Sequence, residues 1–189
     1  LGASQKAIAA SKTCTSRRVF YDFKDMLASY ARGGYPYTPA VGLIAGLAHS
    51  IDILETEGLE NVYARHHRMA EGVRRAVAAW GMRPCAATPD LYSDTVTAVV
   101  VPEGCNGTDL VKLAAETYGM AFGVGLGEVA GKVFRIGHLG MLTEPMMLSG
   151  LATAEMCMAD LGWPVRLGSG VAAAQAFYRK GAEPAKAAA

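Results

Sequence analysis

Gly58 does most to constrain how this chain folds, because it separates two long helical periodicities with no linker between them. Upstream, Val41, Ile44, Leu47, Ala48, Ile51 and Leu54 recur at the steps of one helix face. Downstream, Val62, Arg65–His66, Met69, Val73 and Val77 mark one face of a second helix from about Leu59 to Trp80, with Arg68, Arg74 and Arg75 opposite. A glycine between them ends the first helix, since it tolerates positive φ. The first helix reads as buried, with Thr38 as N-cap and Pro39 at its first position. Its apolar run is broken by His49, Ser50 and Asp52 and is too short to span a bilayer.

The flanks set the order of elements. Ser4 is a plausible cap for a short helix through residues 6–10, Val19–Phe20–Tyr21 reads as extended, and Asp22 opens a helix that Gly33–Gly34 ends. Tyr35-Pro36-Tyr37-Thr38-Pro39 is a rigid turn, because each proline fixes its own φ and biases its predecessor. After Gly81 the texture changes. Thr95–Val101 is the clearest strand, stopped by Pro102. Asn106 or Thr108 opens an amphipathic helix to Tyr118, residues 121–126 and 133–136 read as strands, and Thr143 caps a helix that ends at Gly162. An amphipathic segment (171–178) and a polar, Ala-rich end expected to fray close the chain. Helices first, then strand–helix–strand–strand–helix, predicts a compact α+β domain with helices on one sheet face, its boundary near the Leu59–Trp80 helix.

Composition removes several classes of function. Of 189 residues, 51% are hydrophobic and 19% charged, which suits a folded chain with a real core. A formal net charge of +1 offers no broad basic surface for nucleic acid and no acidic tail. Cys14, Cys85, Cys105 and Cys157 lack CxxC pairing and read as inert thiols in a reducing compartment. No metal is expected: His66 and His67 are adjacent on a helix, so they point about 100° apart, and no zinc-type ligand spacing occurs. His49 reads as a packed core or interface histidine.

Two constellations remain. In Val133-Phe134-Arg135-Ile136 the alternation of a strand turns Arg135 away from Phe134 and Ile136, while Gly137, His138 and Gly140 leave the surroundings uncluttered. Such an arginine suits a two-pronged grip on a planar carboxylate, and equally a structural ion pair at a strand end. Upstream, Gly123-Val124-Gly125-Leu126-Gly127 lacks the helix that a dinucleotide site needs, so it reads as a turn leaving space beside Arg135. The Tyr35–Thr38 turn offers hydroxyls and the amides of a helix N-terminus. That combination suits a phosphate, as well as an ordinary capped turn.

Five segments together resemble, in order, the serine–glyoxylate and alanine–glyoxylate aminotransferases, class V enzymes of fold-type I that use pyridoxal 5'-phosphate (PLP). They are Phe20-Tyr21-Asp22, Tyr35-Pro36-Tyr37-Thr38-Pro39-Ala40-Val41, Gly58–Val62 with Arg65-His66, Gly125–Gly127 with Gly131-Lys132, and Phe134–Gly140. The resemblance covers roughly residues 1–178. It implies the C-terminal part of an α/β fold-type I enzyme: residues 1–65 as the end of the large PLP-binding domain with its connecting helix, 66–165 as the small α+β domain, and 166–189 as a tail. It implies that Arg135 binds the α-carboxylate of the substrates. It also implies that Tyr35 and Thr38 reach the cofactor phosphate of the neighbouring subunit in a cytoplasmic homodimer. The implied reaction moves the amino group of serine, alanine or aspartate to glyoxylate, giving glycine. Neither nucleic acid nor membrane is an expected partner.

No catalytic residue is expected in this chain. Ser4-Gln5-Lys6 resembles the family's lysine tripeptide, but Phe20 follows Lys6 too closely and no Pro-Pro-Gly loop intervenes. Lys6 is therefore read as a lookalike on a capped surface helix. Leu1-Gly2-Ala3 looks cut from a longer chain, with the reactive lysine upstream of Leu1. The rival readings are a lyase or desulfurase of the same superfamily, for which Cys105 is the loop candidate, and a non-catalytic α+β binding module.

Overall fold

The structure, a computed structural model, describes residues 2–181. The Ala-rich end expected to fray, residues 182–189, lies outside them. The described residues form two compact units, divided between Thr56 and Glu57.

The first unit holds α1 (Gln5–Thr13), α2 (Phe23–Tyr30) and nearly all of α3 (Val41–Glu57). Short polar side chains start the first two helices. Ser4 Oγ accepts the Ala7 N–H at 3.2 Å, and Asp22 Oδ1 accepts the Lys24 N–H at 2.9 Å. Three expectations need correction here. Tyr21 is not extended but left-handed, with φ of 64°, because the chain must turn sharply into the Asp22 cap. Thr38 does not cap α3. The helix begins at Val41, and the Ala40 carbonyl accepts its first bond, from Ile44 at 3.0 Å. Nor is α3 buried: every residue from Val41 to Thr56 is exposed, including Leu43 and Leu47. Helical spacing of apolar residues records that a face is suited to burial, not what covers it.

The second unit is built on a four-stranded antiparallel sheet in the order β1 (Arg83–Pro84), β2 (Val96–Val100), β4 (Val133–Gly137), β3 (Gly123–Val124). α4 (Leu59–Ala79), α5 (Gly107–Tyr118), α6 (Glu144–Asp160) and α7 (Ser169–Tyr178) complete it. Asn106 and Thr143 cap α5 and α6. Val99 of β2 with Phe134 and Ile136 of β4 face a common core with Val73 and Val77 of α4, Leu110 of α5 and Leu151 of α6. Each large apolar side chain fully buried there contributes about 1.5–3 kcal/mol.

Two strands differ from expectation. β1 was not anticipated, and β3 is two residues long rather than the expected 121–126. Gly125 explains the second. It is buried so close to the Val129 carbonyl that a Cβ could not fit, and the chain leaves the ladder there for a short turn. The segment expected as a tail contains α7, which packs on α4 and α6. Glu155 of α6, 2% exposed, holds it by accepting the N–H groups of Gly168, Gly170 and Val171 as well as Trp80 Nε1–H.

Candidate functional site

Arg135 sits at the middle of β4, paired with Ala98 of β2 on one side and Gly123 of β3 on the other. Directly paired residues in an antiparallel sheet share a face, so the arginine lies between two very small neighbours. Its side chain turns toward β3, where Nε–H donates to the Val124 carbonyl at 2.9 Å. A Cβ at Gly123 would stand 3.0 Å from Nε and 3.1 Å from the Arg135 Cβ, so the glycine makes the bed in which the stem lies. Among the described residues no carboxylate lies within ion-pair distance of Arg135. Nε is spent on the backbone, while the two terminal nitrogens keep the planar fork that matches a carboxylate.

The chain beyond β4 is tied down at successive residues. The His138 N–H donates to the Thr95 carbonyl at 2.9 Å. Its imidazole, 0% exposed, lies 2.9 Å from both the Asp94 carbonyl (Nδ1) and Thr97 Oγ1 (Nε2). Burial pushes the His138 pKa below its ordinary value, and the nearby Arg74 charge acts in the same direction. The carbonyl can only accept, so Nδ1 carries the proton and Nε2 accepts from Thr97. Nearby, Asp94 accepts from Arg74 at 2.8 Å and from His67 at 3.0 Å. Burial works against its charged form, but these two partners hold its carboxyl below the ordinary value.

Gly140, with φ of 94°, is held from α4 at both backbone polar atoms. Its N–H donates to His66 Nε2 at 3.0 Å, and its carbonyl accepts from Arg65 Nη1. Arg65 is in turn fixed by a two-pronged pair with Glu57, 2.6 Å through Nε and 2.9 Å through Nη2, which lowers the Glu57 pKa. Sequence reading missed Glu57; it expected the glycine-rich segment 123–127 to leave space beside Arg135 but did not single out Gly123 as the residue paired with it. The Glu57–Arg65 spacing crosses a helix break, so no helical pair rule selects it.

Tyr35 and Thr38 lie in the first unit and Arg135 in the second. Tyr35 and Thr38 are exposed in the turn before α3. That turn is fixed by Tyr37, whose hydroxyl donates to the Val19 carbonyl and whose ring lies 4.4 Å from that of Phe20. Lys6 is exposed on α1. Among the described residues no cluster of His, Cys, Asp or Glu is arranged to hold a metal, and no helix is long and apolar enough to cross a membrane. Cys14 is exposed, Cys85 and Cys105 are half-buried and Cys157 is buried, all as free thiols.

The fold recurs in solved enzymes. A pyridoxamine–pyruvate aminotransferase from Mesorhizobium loti superposes on 96% of this chain with a TM-score of 0.81 and 33% identity, the match covering 47% of that enzyme. A ureidoglycine–glyoxylate aminotransferase from Bacillus subtilis, 23% identical, shares the fold over 90% of the chain and 44% of its own length, with a TM-score of 0.79. The architecture is thus that of the C-terminal part of the fold-type I PLP aminotransferases. No protein-family model matches the chain. An L-aspartate–glyoxylate aminotransferase of Paracoccus denitrificans is 62% identical over 180 residues, 95% of this chain and 46% of the relative. A serine–glyoxylate aminotransferase of Hyphomicrobium methylovorum is 50% identical over 184 residues, 96% of this chain and 45% of the relative. The chain belongs to this family of glyoxylate aminotransferases and spans about half the length of the curated relatives it matches. None of these four relatives is named as a lyase, a desulfurase or a non-catalytic module.

Proposed function

We propose that this chain is the substrate-gripping part of a PLP-dependent aminotransferase that moves an amino group from a small amino acid to glyoxylate, giving glycine. Arg135 carries the reading. It is an arginine with a fixed stem, an unpaired fork and two small neighbours, on a chain closely related to glyoxylate aminotransferases. Amino acid donor and keto acid acceptor share a carboxylate beside the reacting carbon. One arginine therefore orients both, and does so in the same pose. Among donors, aspartate is favoured over serine and alanine by the relative that is 62% identical.

The residues present suit the cofactor's phosphate. Tyr35 and Thr38 bring two exposed hydroxyls to the turn before the 17-residue α3, whose N-terminal end is positive. PLP, when bound, supplies the electron sink that makes removal of a Cα proton feasible. The chain's own part is to hold carboxylate and phosphate, with Lys6 taking no catalytic role. The exposed apolar face of α3 supports a homodimer, with Tyr35 and Thr38 serving the neighbouring subunit's cofactor. Free thiols throughout the described residues support a cytoplasmic setting.

The test treats the full gene product with PLP and borohydride and measures amino transfer to glyoxylate from aspartate, serine and alanine. A covalent adduct with glycine formation is expected. No adduct and no glycine would leave a non-catalytic module as the better account.

A further inference from the structure

Gly140 is exposed, yet two consecutive α4 residues, 74 and 75 positions away in sequence, bind its N–H and its carbonyl. An exposed backbone group can be satisfied by water, so hydrogen bonding alone does not call for these partners. The partners are themselves specialised. His66 is only 8% exposed, and its Nδ1 lies 2.7 Å from the Val62 carbonyl, which only accepts. Nδ1 must therefore carry the proton, and Nε2 presents a lone pair to the Gly140 N–H. Arg65 is aimed by both Glu57 oxygens, leaving Nη1 for the Gly140 carbonyl. The glycine's φ of 94° is one that residues with a side chain rarely adopt, although a Cβ would meet nothing within 4 Å. The requirement is thus for a backbone shape and not for space.

The shape belongs to the turn that leaves β4 after Arg135. His138 anchors that turn to the Asp94 and Thr95 carbonyls and to Thr97, and Gly140 anchors it to α4. Leu139, 66% exposed, is caught between the two anchors, with Met141, 73% exposed, just beyond. A strand end held this way cannot fray, and fraying of β4 would release the Arg135 pairing with Ala98 and Gly123.

We propose that Arg65 and His66 are positioning residues for the substrate carboxylate, acting through the backbone of Gly140 to fix the turn on which the Arg135 grip depends. This rests on the reading of Arg135 given above. The neutral, Nδ1-protonated form of His66 supplies the acceptor, and the Glu57–Arg65 pair supplies the donor.

The experiment compares His66→Ala, His66→Gln, Gly140→Ala and Arg135→Ala in the full gene product. It reads hydrogen exchange of the Gly140 amide, and separately KM and kcat with glyoxylate. His66→Ala is expected to speed exchange at Gly140 and raise KM about tenfold, with kcat within about twofold. The Gln side-chain oxygen can accept the same N–H, so His66→Gln is expected to recover most of both effects. Gly140→Ala leaves the α4 core untouched and is expected to raise KM similarly. It carries the test if His66→Ala does not fold. Normal KM in His66→Ala or Gly140→Ala, or no recovery in His66→Gln, overturns the proposal while a raised KM in Arg135→Ala leaves the carboxylate reading standing. Normal KM in Arg135→Ala overturns both.

Discussion

The stem of Arg135 lies across the face of Gly123, so closely that a Cβ on the glycine would stand 3.0 Å from Nε. The same pair sits in register between β3 and β4, and the Nε–H bond to the next carbonyl, that of Val124, fixes the side chain's direction. A glycine in a strand usually weakens it. Here it admits the arginine.

Gly123→Val is therefore expected to push the guanidinium off its bed with little effect on folding, because Gly123 is only half-buried and opens a strand of just two residues. KM for glyoxylate should rise at least tenfold while the unfolding midpoint changes little. Steady-state kinetics and a urea titration on the same preparation check both halves.

Gly72 of α4 faces the ring of Tyr178, whose hydroxyl donates to the Met69 carbonyl at 2.9 Å, and an added methyl would overlap that ring. Gly72→Ala should favour the helix locally by about 1 kcal/mol. Overpacking against a buried aromatic costs about 1–3 kcal/mol or more, so the net effect is expected to be destabilising. A lower thermal midpoint, with the Tyr178→Phe background failing to restore it, is the expected result.

Glu155→Ala is expected to cost more. Its buried carboxylate accepts Trp80 Nε1–H at 2.8 Å and the Gly170 N–H at 2.6 Å, besides Gly168 and Val171. Losing it strands a buried indole N–H and the first amides of α7, a loss of about 3 kcal/mol or more. Denaturant unfolding and proteolysis at α7 measure it.

The buried His138 sets a pH dependence. Burial holds its folded pKa below the ordinary 6.5, so in acid the unfolded chain takes up a proton that the folded chain refuses. Stability contributed by this group is intact above 6.5 and falls with pH below that value, until the lower folded pKa is reached. His138→Gln should flatten this part of the profile of unfolding midpoint against pH. An unaltered slope would mean other groups set it.

Much of this was legible in the chain. Ser4, Asp22 and Thr143 each cap the helix they were expected to cap, and of the two starts expected for α5 Asn106 is the cap, because a short polar side chain beside free amides acts within four residues. Strand alternation likewise placed Arg135 opposite the buried Phe134 and Ile136. Longer-range features were not legible. β1 is two residues, one of them Pro84, and carries no periodicity. The pairing of Gly123 with Arg135 is a matter of register, and the Gly140 anchors come from residues more than seventy positions away. The apolar stripe of α3 stated a need for cover without naming what supplies it.

The central claim is that Arg135 holds the substrate carboxylate, and Arg135→Ala in the full gene product tests it most directly. Two charge-assisted hydrogen bonds contribute about 1.5–3 kcal/mol each, so kcat/KM for glyoxylate and for the amino donor should both fall, each by roughly a hundredfold or more. Cofactor binding should remain intact by absorbance, and Arg135→Lys should recover only part of the loss. Unchanged kinetics with both substrates would contradict the account.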